Sequence, residues 1–301
     1  MSDAGLDIFE IERFAIHDGN GIRTTVFFQG CALRCRWCAN PESHTAGKHI
    51  MFFSRLCSGC GKCAAVCGQN AVKLIDGKSV IDRSRCVSCG ICTAKCPCGA
   101  LKISGRKISN DELFDIVLRD KDYYDASGGG VTLSGGEALL QAEKMLPFLR
   151  RCREEHIGIA VETCGYAPLS AFEAVLGYAD MFLFDIKTID SRKFEEYTGG
   201  NIKTVLSAFE FLCRIGPERV TVRVPVIPGF NDNEISDIMS YAAARGVREL
   251  HLLPYHTLGI SKYEQLGLDY PYHIRESLAP DTLLPYNKMG EKLGLKVKIG
   301  G

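Results

Sequence analysis

Residues 24–41 read TTVFFQGCALRCRWCANP. The β-branched and aromatic run Arg23 to Phe28 reads as a strand. Cys31, Cys35 and Cys38 follow it in C-x3-C-x2-C spacing, with Trp37 before the last cysteine. A [4Fe–4S] cluster ordinarily takes four cysteine thiolates. Three leave one iron open, and an open coordination position is what catalytic metal sites keep for a substrate. A zinc knuckle is the alternative reading of the same three thiols.

The chain has 301 residues, enough for one large domain and a small one. Hydrophobic residues make up 46% and charged residues 24%, so a packed core is expected. Its 36 basic and 36 acidic residues cancel and no basic block appears, which argues against a nucleic-acid partner. No apolar stretch approaches the ~20 residues that span a bilayer. The acidic beginning MSDAGLDIFEIER carries no signal-peptide pattern, so a cytoplasmic protein is expected. A monomer is the separate expectation for its assembly state.

Twelve of the 15 cysteines lie between Cys31 and Cys98. In a reducing compartment such crowding reads as metal ligation or catalysis rather than disulfides. Cys152, Cys164 and Cys213 are scattered and read as packing residues.

Outside the cysteine-rich stretch the pattern alternates between strands and helices. Further strands are expected at Gly130 to Leu133, Ile157 to Val161, Met181 to Ile186, Val220 to Val226 and Glu249 to Leu253. Helices are expected at Ser109 to Tyr123, with Ser109 as N-cap, Leu140 to Glu155, Leu169 to Gly177, Ile202 to Ile215 and Asn233 to Arg245. This alternation implies a parallel sheet covered by helices. The fold class is α/β, a partial (β/α)6 TIM-like barrel over residues 1–47 and 104–301. Within Val220 to Val226 the valines share one face, which leaves Arg223 on the other, inside the barrel. A charge there needs a partner.

Residues 48–103 interrupt the barrel with nine cysteines and few apolar residues, a segment that metal clusters would have to staple. Cys57, Cys60, Cys63 and Cys67 give C-x2-C-x2-C-x3-C, and Cys86, Cys89, Cys92 and Cys96 repeat it. A pair of structural zinc sites is the competing reading, but the third thiol at x2 spacing suits iron–sulfur better. The repeat is similar to bacterial two-cluster ferredoxins, where the fourth cysteine of each run serves the other cluster. That resemblance assigns Cys57, Cys60, Cys63 and Cys96 to one [4Fe–4S] cluster, and Cys86, Cys89, Cys92 and Cys67 to the second. Cys98 is left over as a bystander thiol.

Thr132 to Glu137 reads TLSGGE after the second strand. Gly135 and Gly136 let backbone approach a ligand, and Glu137 offers a carboxylate to an ammonium group. With the cysteine triplet this resembles the radical S-adenosylmethionine (SAM) superfamily, whose matching motif binds the amino group of SAM. The runs HDGNGIR (17–23), ASGGGVTLSGGE (126–137), ETCG (162–165), FDIK (184–187), RVPVIPG (223–229) and LLPYH (252–256) narrow the resemblance to the glycyl radical enzyme activating enzymes.

The resemblance implies a catalytic set of Cys31, Cys35 and Cys38, which hold the SAM cluster, with Asp18, Lys187 and Arg223. Asp18 would contact the partner's glycyl loop, and Arg223 has the fork to grip a carboxylate. Trp37, Asn40, Gly135, Gly136, Glu137, Glu162, Thr163, Asp185, Lys187 and His256 would surround SAM. Glu162, Thr163 and Asp185 would also hold a monovalent cation. Structural readings stay open beside these: an Asp185–Lys187 ion pair, a buried structural arginine at Arg223, a core histidine at His256.

The implied activity is reductive cleavage of SAM to a 5′-deoxyadenosyl radical, which abstracts a Cα hydrogen from one glycine of a glycyl radical enzyme. Flavodoxin or ferredoxin would supply the electron. The alternatives are a radical SAM enzyme whose auxiliary clusters serve a small molecule or peptide, and an electron-transfer or zinc-stapled protein without turnover.

Overall fold

A computed structural model describes residues 5–300. The outermost ends of the expected barrel segments, residues 1–4 and 301, lie outside the described residues. Thirteen strands occur among them: β1 (Leu6–Ala15), β2 (Arg23–Phe28), β3 (His49–Phe52), β4 (Val72–Ile75), β5 (Lys78–Ile81), β6 (Leu101–Ser104), β7 (Arg106–Ile108), β8 (Gly130–Gly135), β9 (Gly158–Thr163), β10 (Met181–Asp185), β11 (Val220–Val226), β12 (Glu249–Pro254) and β13 (Lys296–Ile299). The helices are α1 (Lys62–Ala65), α2 (Ile91–Ala94), α3 (Asn110–Leu118), α4 (Lys121–Ser127), α5 (Ala142–Glu154), α6 (Leu169–Leu176), α7 (Ser191–Thr198), α8 (Ile202–Ile215), α9 (Ile235–Ala243), α10 (Ile260–Leu266) and α11 (Pro285–Leu293). None is long and apolar enough to cross a membrane.

Nine strands form one mixed sheet in the order β13-β12-β11-β10-β9-β8-β2-β1-β7. Neighbours from β2 through β13 run parallel, while β1 and β7 add antiparallel strands at one edge. All six expected strands are present, and β1, β7 and β13 extend the sheet beyond them. Parallel sheets bury their outer face under helices, and β11 shows why. Val220, Val222, Val224 and Val226 are at most 3% exposed and join the main core with Phe209 of α8 and Ile238 of α9. Arg223 takes the other face.

The helix expected over Ser109 to Tyr123 is two. Ser109 caps α3 by accepting from Glu112 N at 3.0 Å. The chain then breaks at Asp120, which is buried. Its carboxylate accepts from Arg13 of β1 and from the Thr24 hydroxyl of β2 at 2.9 Å. Two strands thus claim the residue that separates α3 from α4.

Strands β3 and β6 pair antiparallel, His49 opposite Ser104, and bring the two ends of the cysteine-rich segment together. Inside it, β4 and β5 form a hairpin, and α1 and α2 each follow the start of a cysteine run. A small separate core holds Ile50, Cys63, Val72, Cys92 and Leu101. So few apolar side chains support little stability alone. Arg83 ties the segment to α10 by donating to Gln265 O at 2.9 Å.

Candidate active site

Active sites on parallel sheets gather at the carboxyl ends of the strands. There a cavity of about 290 Å³ collects side chains that the sequence scatters over more than 200 positions. Its wall includes Cys31, Cys35, Cys38, Trp37 and Asn40 from the loop after β2. Gly135 and Gly136 of the β8 turn, Glu162 and Thr163 of β9, Asp185 at the end of β10, Lys187 just beyond it, Arg223 of β11 and His256 after β12 also line it. Asp18 and Glu137 are the two expected residues that the cavity wall does not include.

The turn after β8 is bonded to the cysteine loop. Gly136 N donates to Phe28 O and Glu137 N to Gly30 O, each at 2.8 Å. A Cβ on Gly135 would strike the Phe28 backbone, and one on Gly136 would strike Gly30 O. The glycines are therefore demanded by backbone against backbone as much as by any ligand. Glu137 is fully buried behind them. Its carboxylate accepts from Thr163 Oγ1 at 2.8 Å, Cys164 N at 2.9 Å, Cys164 Sγ at 3.0 Å and Leu139 N at 3.2 Å. Burial raises its pKa. Here it braces the turn from behind rather than offering a free carboxylate to the cavity.

Asp18 is held against the sheet, accepting from the Thr25 hydroxyl at 2.6 Å. The Thr132 hydroxyl donates to its carbonyl at 2.7 Å. Trp37 packs on Phe230 with ring centroids 4.4 Å apart, in an aromatic group with Tyr255 and Tyr272. It both fills space and borders the cavity.

Two cations and two carboxylates form the polar part of the wall. Arg223 donates to Glu162 Oε1 at 2.5 Å and to Asp185 Oδ1 at 3.1 Å, and Lys187 donates to Asp185 Oδ2 at 3.0 Å. Burial opposes ionisation of Asp185, but Lys187 and Arg223 outweigh it and lower its pKa. Burial raises Glu162 despite Arg223. Burial also works against the charges on Lys187 and Arg223, and their carboxylate partners outweigh it. Of the oxygens expected to hold a monovalent cation, Glu162 Oε1, both Asp185 oxygens and the Thr163 hydroxyl are already engaged by protein partners. Hard cations need several free oxygens at once.

Burial pushes the Cys35 thiol up to about 11 and Cys38 to about 12. Thiolate ligands must lose those protons when metal binds, and the Lys187 ammonium favours that loss at both. Among the described residues no three His, Cys, Asp or Glu side chains converge as on a single metal ion. A cubane instead spreads its thiolates over several irons. Three cysteines along a roomy wall, with cationic compensation, fit that group.

In the cysteine-rich segment the two runs interleave. Cys67, Cys86, Cys89 and Cys92 border one small cavity, and Cys57, Cys60, Cys63 and Cys96 border another. Each set takes its fourth cysteine from the other run. Cys98 borders the second cavity too, its Sγ 3.4 Å from Ser58 Oγ.

Sequence reasoning missed two neighbours of the site. Cys164, read as packing, also borders the cavity and bonds to Glu137. Tyr263 of α10 is buried with its hydroxyl unpartnered, burial raises its pKa, and the start of its helix abuts the cysteine loop at Cys38 and Ala39. Its position in a short helix gave no signal, because the contact with the cysteine loop is non-local.

The Radical SAM superfamily model matches residues 83–242, and the 4Fe-4S dicluster domain model matches residues 56–100. The chain is 37% identical to the choline trimethylamine-lyase activating enzyme of Oleidesulfovibrio alaskensis, covering 92% of each chain. It is 38% identical to the benzylsuccinate synthase activating enzyme of Thauera aromatica, over 98% of this chain and 92% of that one. With the trans-4-hydroxy-L-proline dehydratase activating enzyme of Clostridioides difficile it shares 35% identity, over 98% and 99%. Among solved structures, Streptococcus suis SuiB aligns with a TM-score of 0.50 at 15% identity, over 64% of this chain and 43% of that one, a likeness of fold alone.

Proposed function

The chain belongs to the glycyl radical enzyme activating enzymes of the radical SAM superfamily, and from that premise we propose how its residues divide the work. Cys31, Cys35 and Cys38 hold a [4Fe–4S] cluster with one iron left for SAM. Together these cofactors supply the one-electron cleavage and the radical that removes a glycine Cα hydrogen from the partner enzyme. The observation that carries this reading is the cavity wall on which the three thiols stand beside the Glu162–Arg223–Asp185–Lys187 group.

That group is neutral as a whole and fixed by mutual hydrogen bonds. It gives the amino-acid end of SAM charged partners that need no reorganisation. Asn40 and His256 flank the ligand, the peptides of Gly135 and Gly136 approach it, and Glu137 holds their turn rigid. Trp37 and the aromatic rings behind it exclude water, which a radical intermediate requires. Asp18 receives the partner's glycyl loop. The roles are assigned without a monovalent cation.

Residues 1–47 and 104–301 make the partial (β/α)6 barrel, and residues 48–103 a ferredoxin-like insert with two [4Fe–4S] clusters. Cys57, Cys60, Cys63 and Cys96 hold one, and Cys86, Cys89, Cys92 and Cys67 the other. The interleaved cysteine sets and the β3–β6 pairing that closes the segment support this division. An electron carrier such as flavodoxin or ferredoxin reduces the loaded monomer. Electron paramagnetic resonance of an anaerobic mixture of reductant, SAM, this protein and its glycyl radical partner tests the proposal. A glycine-centred doublet supports it, and its absence with a competent partner overturns it.

A further inference from the structure

The balanced charge of the whole chain conceals a strong asymmetry. Residues 48–103 contain nine Lys and Arg against two Asp and no Glu, although the chain as a whole has 36 of each sign. Eight of the nine basic residues are exposed. The ninth, Arg83, is half-buried and fastens the segment to α10. None of the nine takes part in an ion pair among the described residues. Their field is left to act outward.

The two ends of the segment differ. The cavity of the Cys67, Cys86, Cys89 and Cys92 set is lined by Ile50 of β3, the strand that packs on α10. That end faces the large domain. Each set has one exposed thiol, Cys89 at the first and Cys60 at the other; around the latter, Arg55 and Lys62 lie within two residues of ligand cysteines, and Lys95 adjoins Cys96. Lys78 donates to Ser54 O at 3.1 Å and to Cys57 O at 2.9 Å.

Apolar surface surrounds the same cysteines. The β4–β5 turn rests on their loop, since a Cβ on Gly59 would lie 2.5 Å from Gly77 O. That hairpin exposes Leu74, Ile75 and Val80, and Leu56 is exposed beside Cys57. Exposed cations around an apolar patch suit a fast, reversible complex with an acidic protein. Electron-transfer interfaces are of this kind, small and steered by charge.

We propose that the face around Cys57, Cys60, Cys63 and Cys96 is the docking site for an acidic electron-carrier protein. The inference rests on the reading that these cysteines hold an iron–sulfur cluster. Its probe is flavodoxin, titrated against the anaerobically loaded full chain and against a Lys62→Glu, Lys95→Glu double variant. Binding to the unaltered chain weakens steeply with salt, and at about 50 mM salt the double variant raises Kd by roughly tenfold or more and flattens the salt dependence. Iron content and the dithionite-reduced spectrum stay the same in both. Equal affinity of the two proteins overturns the proposal. So does binding that ignores salt, or a variant that loses affinity for the glycyl radical partner while keeping it for flavodoxin. SAM cleavage with dithionite is read separately. If both proteins cleave SAM and flavodoxin does not discriminate, only the docking proposal fails. If neither cleaves it, the proposed function fails, and the affinities still decide the docking.

Discussion

Arg223 on β11 reaches past β10 to donate to Glu162 on β9, Nη2 to Oε1 at 2.5 Å. Its Nε takes Asp185 Oδ1 on the strand between. One guanidinium therefore stitches the inner faces of three adjacent strands at the level of the cavity. A charge inside a protein is tolerable when paired and costly when its partner is removed.

Arg223→Met leaves Glu162 with no cation and Asp185 with Lys187 alone. Breaking such buried pairs costs about 3–5 kcal/mol. Denaturant unfolding of the variant at neutral pH should show a loss of that order, together with weaker SAM binding. An unchanged unfolding midpoint would mean that the pairs are not buried as described.

The pH dependence of the Asp185–Lys187 pair has a definite sign. Asp185 has a lowered pKa, so its contribution is present above the unfolded carboxylate value of about 3.9 and is lost as pH falls through the folded value. Lys187 has a raised pKa, so its contribution is present below about 10.4 and is lost as pH rises through the folded value. The stability difference between the unaltered chain and Asp185→Asn should hold level across neutral pH and shrink below about pH 4. Urea midpoints measured across that range check it, and a difference that grows on acidification contradicts the pairing.

Much of this site was legible before the structure. Cysteine spacing marked the triplet and the two runs, the interleaved sets came from the ferredoxin resemblance, and strict alternation in Val220 to Val226 placed Arg223 inward. Edge strands were not legible. β13 is LysValLysIle, too short and charged to stand out, and β1 carries two irregularities in its pairing with β2. The Ser109 to Tyr123 pattern concealed a break that depends on Arg13 and Thr24, residues remote in sequence. Glu137 illustrates the same limit: its motif identified the turn, but Thr163 and Cys164 decide which way its carboxylate serves. The basic bias of residues 48–103 was plain in the letters, yet a whole-chain sum of zero hid it.

Gly259, just before α10, is a sensitive point. A Cβ there would lie 2.8 Å from Cys38 O and 2.9 Å from Ala39 Cα. Gly259→Ala must push the helix start away from the cysteine loop. Anaerobically loaded protein should fall from about twelve irons to about eight, with the two insert clusters retained. Full iron content with normal SAM binding would contradict the close contact.

The interleaving of the insert cysteines can be counted. In a Cys98→Ser background, which removes the fifth thiol beside Cys96, Cys60→Ala and Cys96→Ala should act on one cluster. The double variant then loses no more than the ~4 irons of either single change. Cys60→Ala with Cys67→Ala should lose ~8. Were the first pair additive and the second not, each run would hold its own cluster.

The central claim is that three cysteines leave an iron for SAM. Electron–nuclear double resonance on the reduced, loaded protein with SAM labelled by nitrogen-15 at its amino group and oxygen-17 at its carboxylate tests it most directly. The account predicts hyperfine coupling of both labels to the cluster of Cys31, Cys35 and Cys38, and loss of both in Cys35→Ala. An intact cluster at those cysteines that shows neither coupling, with SAM bound in the cavity, would contradict it.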